Sequence, residues 1–279
     1  MYQIVKVTGP EAETFLQGQL TQDLGVVQPS NAPLAALLSP KGRVISTLRL
    51  LAFADGYLLL VPNGMADAVT SRLLMYKLRA KVDIAADGDM SVAATTSADD
   101  LARLTASGLM PEQKRNAAAR SETAIAWCPT SNPLAVEVAG PMEVLADLVQ
   151  QPMSAAEWSA MHIAAGIVHI GGETSEEYTP HMLSLDQAGA LSFDKGCYTG
   201  QEVVARTEHL GKAKRRLHRF SVTGGTTAPG DRLHAGERAV GTVVNVTADQ
   251  LLAVSPVDQA ADELTVNDAA VEPREICWE

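Results

Sequence analysis

Apolar residues recur along this chain in short runs whose spacing alternates between that of strands and that of helices. Val5 and Val7 predict the end of a short strand. Thr8-Gly9-Pro10-Glu11 then starts a helix, with Thr8 or Gly9 as its cap and Pro10 accommodated in the first turn. Phe15, Leu16 and Leu20 give that helix an apolar face. From Val44 to Val61 two apolar runs flank Ala54-Asp55-Gly56, which predicts a hairpin. Met65 to Leu78 reads as an amphipathic helix with Val69, Leu73 and Tyr76 on one side. Val138-Ala139-Gly140-Pro141 ahead of Val144, Leu145 and Leu148 echoes Val7-Thr8-Gly9-Pro10 ahead of Phe15-Leu16. An internal duplication of an α+β unit is one reading of the echo and chance the other. Residues 85 to 135 are rich in Ala, Ser and Asp and carry no usable motif.

Ser154-x-x-Glu157 has the form of a capping box, and the helix behind it should run to Gly166 with Trp158, Met161 and Ala165 on one face. Thr199-x-x-Glu202 has the same form and predicts a second helix through about His209. After Lys212 the pattern changes to short alternating runs, Leu217 to Val222, Val240 to Val246 and Leu251 to Val254, separated by Gly-Gly, Pro-Gly and Ala-Gly pairs. This predicts a small all-β module, a barrel, beginning near residue 214.

The composition, 46% hydrophobic and 20% charged over 279 residues, is that of a globular protein and excludes disordered, collagen-like and coiled-coil classes. A net charge of −11 repels a polyanion on average, so any contact with RNA needs a local basic cluster. Cys128, Cys197 and Cys277 lie too far apart for a local zinc ribbon, argue against a disulfide framework, and alone fall short of the four ligands of an iron–sulfur cluster. No charged, apolar leader opens the chain. Arg49, Asp55 and Gly56 interrupt its most apolar stretch before membrane length, so a soluble protein of a reducing compartment, the cytoplasm, is expected.

The densest chemistry is Lys195-Gly196-Cys197-Tyr198-Thr199-Gly200-Gln201-Glu202. With Thr199 as cap, Cys197 sits just outside the positive end of a helix and beside the cation of Lys195, both of which favour a thiolate. Gly196 and Gly200 allow close backbone approach. A ligand-facing thiol and a half-buried structural cysteine both fit these residues. Behind them His209, Lys212, Lys214, Arg215, Arg216, His218 and Arg219 form a basic run. It suits either an anionic tail or RNA, or simply a solvated strand. Trp158 on an amphipathic helix reads as core before ligand platform, and His162 and His181 as structural histidines, no second metal ligand standing four residues on. No metal site, phosphate loop, nucleophile elbow or dinucleotide fingerprint is marked.

Lys195 to Glu202 resembles the signature of the YgfZ family, folate-binding proteins related to the aminomethyltransferase (T-protein) of the glycine cleavage system. Thr8-Gly9-Pro10, Phe15-Leu16-Gln17-Gly18-Gln19-Leu20-Thr21-Gln22-Asp23 and Pro40-Lys41-Gly42-Arg43 with Leu48-Arg49-Leu50 agree with it as well. The resemblance covers residues 4 to 53 and 154 to 220. It implies an α+β fold: aminomethyltransferase-like folate-binding subdomains in two related halves, residues 1–213, followed by a small C-terminal β-barrel, residues 214–279. It further implies tetrahydrofolate or a one-carbon derivative as cofactor, and support of iron–sulfur enzymes, including those that thiolate tRNA, through the motif cysteine.

Position by position, the resemblance makes Cys197 the functional thiol, with Lys195 beside it. Gly196, Gly200, Gln201 and Glu202 become its surroundings and folate-side residues, Trp158 an aromatic against folate, and Tyr2 a second one across the pterin. Arg206 and the cations up to 219 would receive the glutamate tail, and Cys197 would stand at the pocket edge. Two departures are expected to matter. Ala164-Ala165-Gly166 replaces the family's Glu-Ala-Gly, losing a carboxylate that pairs with the pterin. Ser46 and Thr47 stand where aminomethyltransferases carry an Asp pair, and a hydroxyl cannot do a carboxylate's proton work at neutral pH. A folate-binding accessory protein is therefore the expectation, ahead of a folate-dependent aminomethyl- or methyltransferase and of direct tRNA binding by the 212–219 cluster.

Overall fold

In the computed structural model, which describes residues 2–54, 56–211, 213–258, 263–276 and 278, two antiparallel sheets pack face to face behind outer helices. The first unit runs β1 (Tyr2–Thr8), α1 (Ala12–Gln17), β2 (Leu34–Leu38), β3 (Val44–Phe53), β4 (Gly56–Pro62), α2 (Ala66–Lys77) and β5 (Asp83–Asp87). Its strands lie in the order β2-β3-β4-β1-β5. The hairpin expected around residue 55 joins β3 to β4, with Phe53 opposite Gly56, Asp55 itself lying outside the described residues. The first helix starts later than its sequence signal: Glu11 is the N-cap and makes no side-chain cap. Gly9 (φ +110°) turns against the Lys81 carbonyl, so Thr8 and Pro10 belong to the turn before the helix.

The motif-free stretch supplies most of the second unit: β6 (Met90–Thr95), α3 (Ala98–Ala106), β7 (Ala118–Arg120), β8 (Ile125–Ser131), β9 (Leu134–Pro141) and α4 (Met142–Leu148), with strand order β6-β9-β8-β7. Both Gly-Pro pairs stand where a strand ends ahead of a helix. Strand alternation sorts the core. Ile4, Leu58 and Leu60 point toward the second sheet and meet Ile125, Trp127 and Ala139, while Val5, Leu59 and Val61 point outward under α1 and α2.

The chain then crosses between units through α5 (Ala155–Ala164) and α6 (Gln201–Leu210). The Ser154–Glu157 capping box forms in full at the start of α5, and Gly166 adopts φ +66° just beyond its end. The barrel is β10 (Arg215–Thr223), β11 (Arg232–Ala235), β12 (Arg238–Val246), β13 (Gln250–Pro256), β14 (Leu264–Val266) and β15 (Ala269–Arg274). It closes by pairing β10 with β15, which leaves no open edge. A core of Leu34, Ala36, Ile163, Leu185, Leu217 and Leu252 ties the first sheet, the crossing segment and the barrel together.

Candidate functional site

The motif stretches, far apart in sequence, meet in space. Lys195 donates from Nζ to the carbonyls of Leu20 and Gln22, 2.7 Å each. Thr21 donates to Ala190 O at 2.8 Å, Gln22 Nε2 to Gly189 O at 2.7 Å, and the Thr199 amide to Gly18 O at 3.2 Å. The turn before β3 closes the group. A Cβ on Gly42 (φ +69°) would fall 2.5 Å from Val203, and one on Gly200 (φ +81°) 2.6 Å from Ser39 O. Only glycine fits both the backbone and the space at these two positions.

This packing corrects the second capping box. Gly200, not Thr199, is the N-cap of α6, in the left-handed region and without a side-chain cap. The Thr199 hydroxyl lies 3.5 Å from Gln19 Oε1, while Gln201 Oε1 accepts from the Tyr198 amide. Replacing Gly200 by alanine should lower stability by about 2 kcal/mol or more, since left-handed backbone alone costs a non-glycine residue ~1–2 kcal/mol. Gly196, with nothing within 4 Å of its Cβ position, is the control. Its alanine variant should unfold in urea within about 0.5 kcal/mol of the parent.

Cys197 is exposed, Cys128 buried, and Cys277 lies outside the described residues. The expected partnership of Lys195 with the thiol gives way to a different role. Its ammonium is buried against the two carbonyls and lies 5.0 Å from the Tyr198 ring centroid, and burial lowers its pKa to about 8. Lys195 pins the loop from inside and leaves Cys197 facing out. Glu202 and Arg206 form an exposed pair with each other at 2.7 Å.

Tyr2 and Trp158 are brought together, but as packed neighbours rather than the two walls of a slot. Their rings meet edge to face with centroids 5.9 Å apart, and Trp158 is buried among Ala94, Ala135 and Met161. The Trp158 indole N–H donates to Glu137, a carboxylate on β9 with no solvent exposure. Glu137 also accepts from Trp127 Nε1 at 2.5 Å and pairs with His162 Nε2 at 2.6 Å. Burial alone would raise the Glu137 pKa. His162, Arg49 and the indole together outweigh it and hold the carboxyl below its ordinary value. Arg49 on β3 is equally buried. It donates to Ala32 O and Asn116 Oδ1, lies 6.0 Å from the Trp127 ring centroid, and counters the Glu137 charge across the two sheets. His162 Nδ1 in turn lies 2.6 Å from His169 Nε2.

Ser46 and Thr47, at the places of the absent Asp pair, carry structural hydrogen bonds. Ser46 Oγ donates to Thr47 O and Ile170 O. Thr47 Oγ1 donates to Val168 O at 2.8 Å and accepts from the Ile170 amide at 3.0 Å. Both hydroxyls hold the segment that carries His169.

Two cavities of about 250 Å³ flank α5. One lies between Met161, Ala164 and Ala165, the β8–β9 turn at Thr130 and Asn132, and Arg219 of the barrel. The other lies on the opposite flank, bordered by Ser159, His162, Ile163, His169, Asn63 and Asn245. Neither is lined by residues 195–202, so Cys197 is not at the edge of these hollows. The basic run is largely committed to its own protein. Arg216 grips Asp186 with bonds of 2.6 and 2.8 Å, Arg215 donates to Val240 O, Arg219 to Gln250 Oε1 and Glu275 O, and His218 meets Ser255 Oγ. His181 pairs with Glu208 at 3.1 Å, and Lys212 lies outside the described residues.

Sequence reasoning missed Trp127, Glu137, His169 and Asn245. The available signal was a lone charge inside an apolar strand, as in Ala135-Val136-Glu137-Val138-Ala139. No helix among the described residues is long and apolar enough to cross a membrane.

Known proteins share this architecture. A family profile described as CAF17, C-terminal beta-barrel domain, matches residues 214–279. The tRNA-modifying protein YgfZ of Cronobacter sakazakii is 30% identical over 254 residues, covering 86% of this chain and 77% of the relative. That of Klebsiella pneumoniae is 31% identical over 228 residues, covering 79% and 69%. The crystal structure of the glycine cleavage system aminomethyltransferase T from Bartonella henselae superposes with a TM-score of 0.76, covering 98% of this chain and 82% of that one. At 16% sequence identity the last likeness is one of fold.

Proposed function

The chain belongs to the YgfZ family of tRNA-modifying proteins, and from that premise we propose that it is a folate-binding accessory protein that supports iron–sulfur enzymes, those thiolating tRNA among them, through Cys197. One observation carries the reading: an exposed thiol on a loop whose flanking residues, Lys195, Tyr198 and Thr199, are all held from within. A thiol so presented is within reach of a macromolecular partner. It stands apart from both cavities of α5, which favours thiol chemistry on a client protein over chemistry on a folate adduct.

The folate would occupy the cavity at Ala164 and Ala165. Its volume suits a bicyclic ring, Thr130 and Asn132 offer polar atoms, and Arg219 supplies a cation for a carboxylate tail. The methyl groups of Ala164 and Ala165 line it where the family's carboxylate is absent, so the pterin would be held chiefly by shape. When bound, a reduced folate supplies a one-carbon carrier. Ser46 and Thr47, spent on backbone carbonyls, offer no general base to a transferase, and with Arg216 neutralised by Asp186 and Arg215 turned to Val240 O the basic run, Arg219 apart, offers little to RNA.

Titrating a reduced folate should change tryptophan fluorescence, because Trp158 packs on Met161 of the cavity wall. Trp158→Phe should remove most of the signal. Arg219→Ala should weaken affinity roughly tenfold, the value of one charge-assisted hydrogen bond of ~1.5 kcal/mol. A flat titration sinks the folate assignment.

A further inference from the structure

The second flank of α5 holds an arrangement that the folate reading does not use. His162 Nδ1 and His169 Nε2 are 2.6 Å apart, the ring centroids 4.9 Å apart, and the ring planes within 13° of each other. Rings so placed meet end to end in nearly one plane, the geometry of an N–H···N hydrogen bond rather than of stacking. Proton positions follow from the partners. Glu137, an ionised acceptor, takes N–H groups from Trp127, Trp158 and His162 Nε2. With that proton on Nε2, His162 turns Nδ1 toward His169 as the acceptor of His169 Nε2–H. The Nδ1 of His169 is then left as a lone pair on a half-buried ring that borders the 250 Å³ cavity and an adjoining one.

His169 is also held more firmly than a space-filling side chain requires. Asn245 of β12 clamps its backbone on both sides, Oδ1 accepting from His169 N and Nδ2 donating to His169 O, each at 2.8 Å. Thr47 of β3 binds the residues before and after it. Tyr2 of β1 covers the relay, its ring centroid 5.9 Å from His162 and 5.4 Å from His169. Burial keeps the His169 pKa well below its ordinary value, and the charges of His162, the N-terminal amine and the buried Arg49 act in the same direction. His169 is therefore uncharged at rest.

We propose that Glu137, His162 and His169 form a proton relay, and that His169 Nδ1 is the proton acceptor for a small ligand seated in the cavity between α5 and the barrel. The ligand's proton passes to His169 Nδ1, the His169 Nε2 proton passes to His162 Nδ1, and the resulting His162 imidazolium rests on the Glu137 carboxylate. Histidines apart, the cavity wall is uncharged, Pro62, Ile163, Pro229 and Val246 with Asn63 and Ser159, so a conjugate base left there must be neutral. That selects an acid of the ammonium or amidinium class, no larger than a bicyclic ring. His169 would touch the ligand, and Glu137 is a positioning residue. The inference concerns a different cavity from the folate proposal and stands or falls without it.

Diethyl pyrocarbonate reads the lone pair directly. An unprotonated imidazole nitrogen adds to the reagent's carbonyl carbon, ethyl carbonate leaves, and the ring's other proton must depart, here to His162. Peptide mapping by mass spectrometry at neutral pH should find His169 modified at least as fast as the exposed His209, with the buried His162 and His181 protected. In Glu137→Gln the His169 rate should fall about tenfold against His209, the factor that one pK unit represents. Protection of His169 in the parent, or equal rates in parent and variant, overturns the relay. Should the variant fail to fold, ring ¹⁵N spectra of the parent decide. Protons on Nε2 of both His162 and His169 with bare Nδ1 atoms are expected, and a proton on Nδ1 of either at rest overturns it. A flat folate titration leaves these readings untouched.

Discussion

Alanine in place of Glu137 is expected to cost about 3–5 kcal/mol of folding stability, the range for breaking a buried charge pair by removing one partner. The removal takes the carboxylate from three buried donors at once, the indole N–H groups of Trp127 and Trp158 and Nε2 of His162, and leaves Trp158 Nε1 only its 3.2 Å contact with His162 Nε2. It also leaves Arg49 buried without the charge that balances it from the opposing sheet. The damage falls where the two sheets and α5 meet, so no single unit can relax alone. Glu137→Gln keeps one acceptor oxygen and should lose less. Urea unfolding followed by far-UV circular dichroism measures both. An alanine variant within about 1 kcal/mol of the parent, the ordinary size of a point substitution, would show that the network carries no such weight.

The same carboxylate makes stability depend on acid in a definite direction. Its folded pKa lies below the unfolded value, so its contribution is present above the unfolded value and disappears as pH falls through the folded one. The parent should therefore lose stability more steeply on acidification than Glu137→Gln.

Elements with a local cause were legible before the structure. The Ser154–Glu157 box, the hairpin at residue 55, the helix after Met65 and the barrel strands each follow from hydrogen bonding or periodicity within a dozen residues. Thr199-x-x-Glu202 has the same local form as Ser154-x-x-Glu157, yet it caps nothing. There the deciding contacts are with Ser39 and Gly18, from the other end of the chain. Trp158 was legible as part of a buried helix face. Its indole partner sits on β9, inside a stretch whose alternation reads only as strand. Arg49 reads in sequence as the charge that interrupts an apolar run. In space it is the countercharge of Glu137, and no pattern along one strand can name a partner on another. Ser46 and Thr47 were legible as missing carboxylates, while their actual work, fastening the His169 segment, depends on a loop more than a hundred residues away.

Cys197→Ala should abolish support of tRNA thiolation in cells that lack the native protein while leaving the fold intact. The thiol is exposed, so the unfolding free energy should stay within the ~0.5 kcal/mol usual for surface changes. The folate titration should be unaltered as well, since Cys197 lines neither cavity of α5. Cys197→Ser should fail equally, because a hydroxyl of similar size lacks the thiolate that attacks disulfides or binds iron. Lys195→Ala tests the loop rather than the thiol. It removes both Nζ bonds to Leu20 and Gln22 and should lower stability by about 1–3 kcal/mol, with a partial loss of cellular function. Mass spectrometry of thiolated tRNA nucleosides reads all three variants against the parent. Full recovery by Cys197→Ala would remove the thiol from the mechanism. Loss of function with loss of folate affinity in the same variant would instead mean that the 195–202 loop moves to close on the ligand.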